Sequence, residues 1–266
     1  DSHGYYRTSN QSVILQVDRV SKQFPGVQAL QDVSFSVPSG EVVGLAGENG
    51  AGKSTLVKII AGVHFADAGR ILFRGRPVSF QSPGEAREAG ISVIYQELNL
   101  APNLDIAANI FLGREDGRSL LSSPDDRELR AKTMSLFSEL GVHLDPSVVV
   151  GDLSVAQQQM VEIAKALSTK ADLIIMDEPT SSLTRAEVEH LFETIRRLRN
   201  SGIGIIFITH RLEEIFEVCD RIVVLRDGRL VGERNVLAFD MGGTTAKACM
   251  VEDGQPMTNY SLEAAR

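Results

Sequence analysis

The sequence contains little cysteine, no tryptophan and no long apolar run, and these shortages exclude whole classes of protein. Two cysteines in 266 residues cannot form the disulfide framework of a small secreted domain, so a reducing compartment is expected. No apolar stretch approaches the roughly 18 residues that a transmembrane helix needs. The polar N-terminus also lacks the apolar segment of a signal peptide. The composition therefore indicates an ordinary globular chain with one large domain or two small ones.

Positively charged residues are fewer than negatively charged ones. Asp and Glu number 35 against 27 Lys and Arg, which gives a formal net charge of −8. This acidic balance argues against a general partner such as nucleic acid or an anionic membrane surface. The first residue is Asp1 rather than Met, which predicts a fragment or a processed product.

A glycine-rich stretch at residues 47–55 matches the phosphate-binding pattern G-x-x-x-x-G-K-[ST]. A strand is predicted over 41–46 and a helix over 56–61, which is the order that such a loop requires. Glycines let backbone N–H groups approach phosphate oxygens, Lys53 can contact the β- and γ-phosphates, and Ser54 can complete a Mg2+ shell. The predicted nucleotide-binding residues of this loop are Gly47, Glu48, Asn49, Gly50, Ala51, Gly52, Lys53, Ser54 and Thr55.

Strand and helix patterns alternate along the rest of the chain. Continuous apolar runs at 173–176 and 203–208 are typical of parallel strands buried on both faces. Between them, Thr184 and Glu187 form the pattern of a capping box at the start of a helix. This alternation predicts an α/β fold with a mainly parallel sheet.

Two acids follow the apolar run at 173–176. Asp177 is expected to hold Mg2+ through its water shell, and Glu178 is placed to polarise an attacking water. The simpler interpretation, that Asp-Glu-Pro begins a surface turn, is disfavoured by the apolar run before it.

In residues 13–234 the chain resembles the ATP-binding cassette (ABC) transporter ATPases. Gln96 resembles the glutamine of the Q-loop, and residues 153–157 lie where this family carries its signature motif. Residues 180–184 resemble the D-loop, and His210 resembles the switch histidine. Phe24 lies where an aromatic side chain commonly stacks on adenine. Taken singly, Gln96, His210 and Phe24 have simpler structural explanations, and only their order along the chain favours a function.

The resemblance implies a role for each matching residue. Glu178, His210 and Gln96 are expected to take part in catalysis, and Ser54, Gln96 and Asp177 are expected to hold Mg2+. ATP is expected to contact the loop residues above together with Phe24, Ser154, Ala156 and Gln157. The implied fold is a P-loop NTPase core with an N-terminal antiparallel β subdomain and a helical subdomain inserted at about 97–167.

The sequence departs from the usual family motifs at two places, and these differences indicate a particular branch of the family. Val155 and Ala156 replace the glycine pair of the signature motif, and Thr184 replaces the usual aspartate of the D-loop. The pattern is similar to the first of two tandem cassettes in the monosaccharide-import branch. That branch implies membrane permease subunits and a second cassette as partners, and a sugar-binding protein indirectly. It also implies a peripheral position on the cytoplasmic face of the bacterial inner membrane.

The C-terminal residues 235–266 do not fit this pattern. The segment 240–244 resembles the first phosphate loop of the hydantoinase/oxoprolinase group, within the actin- and hexokinase-like ATPases. About 30 residues are too few to bury an independent core. We therefore divide the chain into a polar lead at 1–12, a cassette at 13–234 and an unrelated tail, which is expected to catalyse nothing.

Two other functions stay open at this point. One is a soluble cassette ATPase without a permease, although the long insertions or basic surfaces typical of that class are not found here. The other is a truncated or chimeric cassette that binds nucleotide without supporting transport, which the single cassette and the unrelated tail favour.

Overall fold

The computed structural model describes residues 12–112, 126–235, 250–252 and 255–257. The strands in these ranges are β1 (Val13–Phe24), β2 (Val27–Pro38), β3 (Val42–Ala46), β4 (Ala68–Phe73), β5 (Arg76–Val78), β6 (Ile91–Ile94), β7 (Leu173–Asp177), β8 (Gly204–Ile208), β9 (Arg221–Arg226), β10 (Arg229–Asn235), β11 (Met250–Glu252) and β12 (Gln255–Met257). The α-helices are α1 (Lys53–Ile60), α2 (Pro83–Ala89), α3 (Ile106–Phe111), α4 (Asp126–Leu140), α5 (Val155–Leu167), α6 (Arg185–Asn200) and α7 (Leu212–Val218).

The N-terminal part of the chain forms an antiparallel sheet with the strand order β2-β1-β4-β5. In β1, Leu15 and Val17 are buried whereas Gln16 between them is exposed. Such alternation is typical of a strand with one face on the core and one in water. The sheet confirms the predicted antiparallel subdomain.

A second sheet has the strand order β10-β9-β3-β8-β7-β6. Strands β9, β3, β8, β7 and β6 are parallel to one another, and β10 is an antiparallel edge strand. Strands β3 and β8 are buried along their whole length, because helices or the first sheet cover both faces. The predicted α/β fold with a mainly parallel sheet is therefore confirmed.

Neighbouring residues of the parallel strands point into two different cores. Val42 and Phe207 pack in one core, which includes side chains of α5 and α6. Val43 and Ile206, each adjacent in sequence to one of these, pack in the other core with α1 and β1. Successive side chains of a strand point to opposite faces, so one sheet can organise both layers.

The segment between β6 and β7 carries α3, α4 and α5, as the predicted helical subdomain requires. Helix α4 ends directly before Gly141, whose backbone is left-handed with φ 69°. The connections at 97–105 and 141–149 are not helical, so helices fill this region only in part. In the described part of the chain, no helix is both long and apolar enough to span a bilayer.

An aromatic pair anchors α6 to the centre of the parallel sheet. The rings of Phe192 and Phe207 are fully buried and meet edge to face, with their centroids 6.0 Å apart. Phe207→Ala should lower the free energy of unfolding by about 3–5 kcal/mol, because it removes this contact and leaves a cavity. The measurement is urea denaturation.

Phe65→Ala is the control for this prediction, since Phe65 is 50% exposed and its truncation should change stability by less than about 1 kcal/mol. Equal losses for the two variants would contradict the anchoring role of Phe207.

Candidate functional site

The predicted phosphate loop connects β3 to α1 and leaves the first turn of α1 open to an anion. Gly52 is the N-cap of α1 and has a left-handed backbone with φ 104°. A Cβ at this position would lie 2.6 Å from the carbonyl oxygen of Ala29, so only glycine fits. Gly52 has no side-chain oxygen to cap the helix, and the first turn of α1 holds no acid. The N–H groups of this first turn therefore suit a phosphate ligand.

Lys53 lies against this loop and is only 9% exposed. Its Nζ donates hydrogen bonds to the carbonyl oxygens of Gly47 at 2.6 Å and Glu48 at 3.0 Å. Ser54, the next residue, is exposed. The loop therefore combines a lysine ammonium group that is hydrogen-bonded in place with an exposed serine, and this pair suits a phosphate with its metal ion.

Asp177 ends β7 and is level with Ile208 of β8, which is level with Leu45 of β3. Burial raises the pKa of the Asp177 carboxyl, the charge of Glu178 raises it further, and the charge of Lys53 lowers it. The pKa of Tyr95 is raised by burial and by the negative charge of Asp177. Lys53, Asp177 and Glu178 therefore lie close enough for their charges to interact.

Glu178 directly follows β7 and adopts a left-handed backbone with φ 47°. This conformation costs a residue with a side chain of order 1 kcal/mol or more, and it is often found at functional sites. The N–H of Glu178 donates to the carbonyl of Ile208 at 2.9 Å, which fixes the turn. Its Oε1 lies 3.3 Å from Nδ1 of His210, so the structure brings the predicted base and the predicted switch histidine together.

Gln96 lies two residues after β6 and is exposed. It lines a cleft of about 290 Å³ whose other walls include Glu178, Val155 and Gln159. The side chain of Gln159 is buried, and its Nε2 has no hydrogen-bond partner among the described residues. Gln96 and Glu178 therefore share one cleft, as their predicted roles require.

The predicted signature residues lie at the N-terminus of α5. The Ser154 hydroxyl accepts a hydrogen bond from the Gln157 N–H at 3.3 Å, and Gln157 Oε1 accepts one from the Ser154 N–H at 2.9 Å. This capping box fixes the first turn of the helix. Neither Ser154 nor Gln157 lines the cleft beside Gln96, whereas their neighbour Val155 does and is 45% exposed. Ala156 is half-buried in the same turn.

Phe24 ends β1 and its ring belongs to a small cluster of side chains. The His64 ring meets it edge to face with a centroid distance of 5.4 Å, and Lys22 Nζ lies 5.5 Å from the Phe24 centroid. Lys22 is in turn held by Asp67 at 2.7 Å. The sequence assigned no role to His64, because no metal-ligand spacing or motif distinguishes it.

The matching sequence family defines the class of protein. The family described as ABC transporter matches residues 30–181, which is more than half of the chain. The chain therefore belongs to the ABC transporter family, and the predicted resemblance is confirmed.

Two curated relatives are similar over most of this chain. The ribose import ATP-binding protein RbsA of Hahella chejuensis is 51% identical over 223 residues, which are 84% of this chain and 44% of the relative. The ribose import ATP-binding protein RbsA 2 of Streptomyces avermitilis is 54% identical over 218 residues, which are 82% of this chain and 43% of the relative. The chain thus spans less than half the length of these relatives.

Solved structures of ATP-binding cassettes have the same fold. A cassette of an ABC transporter in its ADP conformation is 29% identical, with a TM-score of 0.76 over 84% of this chain and 91% of that chain. A nucleotide-free cassette is 28% identical with a TM-score of 0.75 over the same shares of the two chains.

A second family, described as hydantoinase/oxoprolinase, matches residues 222–266. This match confirms the predicted resemblance of the tail, although it begins earlier than residue 235 and includes most of β9. The predicted phosphate-loop residues 240–244 lie outside the described residues.

Replacing Asp177 by asparagine should stabilise the nucleotide-free protein. A carboxyl whose pKa is raised by folding stabilises the fold while it is protonated, and this contribution is lost as the pH rises through the folded pKa. At pH 7 the ionised Asp177 therefore destabilises the fold, and Asp177→Asn should raise the melting temperature. Each kcal/mol corresponds to about 2–4 °C for a domain of this size.

The difference between Asp177→Asn and the parent chain should narrow as the pH falls toward the folded pKa, since the parent carboxyl then becomes neutral. Asp67→Asn is the control with the opposite sign, because hydrogen bonds from Lys22 and the Gln23 N–H lower the pKa of Asp67. A lower melting temperature for Asp177→Asn than for the parent chain at pH 7 would show that the buried Asp177 carboxylate does not destabilise the fold.

Proposed function

We propose that this chain binds and hydrolyses ATP as the cassette subunit of an ABC importer for monosaccharides. The observation that carries the proposal is the convergence of Lys53, Asp177 and the Glu178–His210 pair at one edge of the parallel sheet. The names of the relatives, which are ribose import ATP-binding proteins, support the choice of substrate class.

The phosphate loop would hold the β- and γ-phosphates of ATP through its N–H groups and Lys53. Ser54, Gln96 and Asp177 would hold Mg2+, an ion that neutralises negative charge on the phosphates during hydrolysis. Phe24 would stack on the adenine ring, since aromatic faces pack well on a nucleobase.

Glu178 would orient the attacking water and accept its proton. Its side chain is 20% exposed, which leaves it open to a water molecule while limiting competition from bulk solvent. His210 lies 3.3 Å away and is 62% exposed, so it can hold the Glu178 carboxylate and also reach a bound phosphate. Gln96, across the cleft, would sense whether the site is filled.

The exposed signature residues suggest that a second cassette completes the site. Ser154 and Gln157 use their side chains to cap α5, and both residues are exposed. In this arrangement the Ala156 N–H and the Ser154 hydroxyl would contact the γ-phosphate bound to the opposite cassette.

A groove of about 180 Å³ beside Tyr95 would receive side chains from a cytoplasmic helix of a permease. Asn99 lines this groove. Its N–H donates to Glu162 Oε1 at 2.9 Å, and its carbonyl accepts from Lys165 Nζ at 2.9 Å. Movement of the segment after Gln96 would therefore be transmitted to α5. Docking there would place the chain at the cytoplasmic face of a bacterial inner membrane, with a sugar-binding protein acting through the permease.

Glu178→Gln should keep ATP affinity and reduce turnover about 10²–10⁴-fold, because positioned proton transfer is lost. Lys53→Ala should instead weaken ATP binding itself. The measurements are phosphate release at saturating ATP and the binding of a fluorescent ATP analogue.

Glu213→Gln is the matched control, since Glu213 is an exposed acid of α7 outside the site, and its turnover should equal that of the parent chain. Hydrolysis at the parent rate by Glu178→Gln would rule out Glu178 as the base.

The composite site predicts that turnover rises faster than linearly with protein concentration. With Glu178→Gln, ATP should induce a dimer that light scattering detects, since bound ATP is not consumed. Ser154→Arg should prevent this dimer, because a long charged side chain would occupy the contact surface. A strictly linear rate and a monomeric Glu178→Gln chain at saturating ATP would argue against the composite site.

A further inference from the structure

Glu214 of α7 is a buried acid for which neither the sequence nor the proposed chemistry gives a role. It is only 6% exposed. Its Oε2 accepts two hydrogen bonds, from the Thr180 hydroxyl at 2.9 Å and from the Thr209 hydroxyl at 2.7 Å. Both threonines are 2% exposed, so the three side chains form a closed polar network inside the protein.

The two threonines belong to the two loops that carry the proposed chemistry. Thr180 lies two residues after Glu178, in the loop that leaves β7. Thr209 directly precedes His210, in the loop that leaves β8. A single carboxylate oxygen therefore fixes the positions of both loops relative to each other.

Arg211 also contacts this network, at the second carboxylate oxygen of Glu214. Its Nη1 lies 3.3 Å from Glu214 Oε1, and its N–H donates to the Thr209 hydroxyl oxygen at 3.1 Å. A buried carboxylate is costly unless such donors satisfy it, and an apolar side chain would fill the same space at less cost. The network is therefore better explained by the geometry it imposes than by stability alone.

We infer that Glu214 is a positioning residue for hydrolysis, which holds His210 Nδ1 within 3.3 Å of Glu178 Oε1. The inference rests on the proposed function, because it assumes that Glu178 and His210 act on ATP. Glu214 does not touch the reacting atoms. It acts through Thr180 and Thr209, whose loops present the two functional side chains.

Glu214→Gln tests this role because it keeps the shape of the side chain and replaces one acceptor oxygen by a donor. We expect kcat to fall about 10–100-fold while KM for ATP and the affinity for a fluorescent ATP analogue stay within about twofold. Thr209→Val, which removes the hydroxyl without changing the size of the side chain, should lower kcat similarly. Thr209→Ser, which retains the hydroxyl, should restore most of the rate.

A double-mutant cycle separates positioning from a general structural role. In the His210→Ala background, Glu214→Gln should lower kcat by less than about twofold more, because the Glu178–His210 contact that Glu214 maintains is already lost. The inference would be overturned if the effects of Glu214→Gln and His210→Ala on kcat multiplied in the double variant. It would also be overturned if Glu214→Gln lowered kcat and ATP affinity equally.

A measurement without turnover completes the test. In histidine-labelled protein, Glu214→Gln should move the nitrogen chemical shift of His210 Nδ1 toward its value in Glu178→Gln, in which a neutral amide replaces the Glu178 carboxylate. An unchanged shift would also overturn the inference. If the parent chain does not bind and hydrolyse ATP, the proposed function fails, whereas an active parent with an unaffected Glu214→Gln contradicts only the role of Glu214.

Discussion

The parallel hydrogen bonding of β3, β8 and β7 is the constraint on which the candidate site depends. It aligns Leu45, Ile208 and Asp177 across the sheet, so the chain leaves all three strands at the same edge. The phosphate loop, the Thr209-His210 turn and Glu178 follow these positions directly. A shift of one strand by one residue would turn its side chains to the opposite face and disperse the site.

The parts of this arrangement that depend on local sequence were predictable. Continuous apolar runs predicted β7 and β8, since only strands buried on both faces tolerate them. The loop at 47–55 was predictable because its glycines and Lys53 have few other uses at this spacing. Thr184 and Glu187 likewise predicted the start of α6, and Glu187 Oε2 accepts the Thr184 N–H at 2.8 Å.

The parts that depend on distant contacts could not be predicted. In the sequence, Glu214 cannot be told apart from the other acids of α7. Its burial results from the packing of α7 beneath two loops, which the sequence does not show. The left-handed backbone of Glu178 has no sequence signal, because glycine or asparagine usually marks such a position. The boundaries of the helical region were also uncertain from sequence, since polar connections and polar helices have similar compositions.

The contacts of Lys53 have a consequence for how strongly the loop can bind. Its ammonium group has three N–H donors and directs two hydrogen bonds at carbonyls of its own loop. The loop is therefore already ordered when a phosphate binds. Lys53 then exchanges carbonyl acceptors of its own loop for phosphate oxygens. The side-chain entropy of Lys53 was already lost when the chain folded, so phosphate binding has a smaller entropic cost than it would with a mobile lysine. The enthalpy gained on binding is also smaller, because existing hydrogen bonds are replaced.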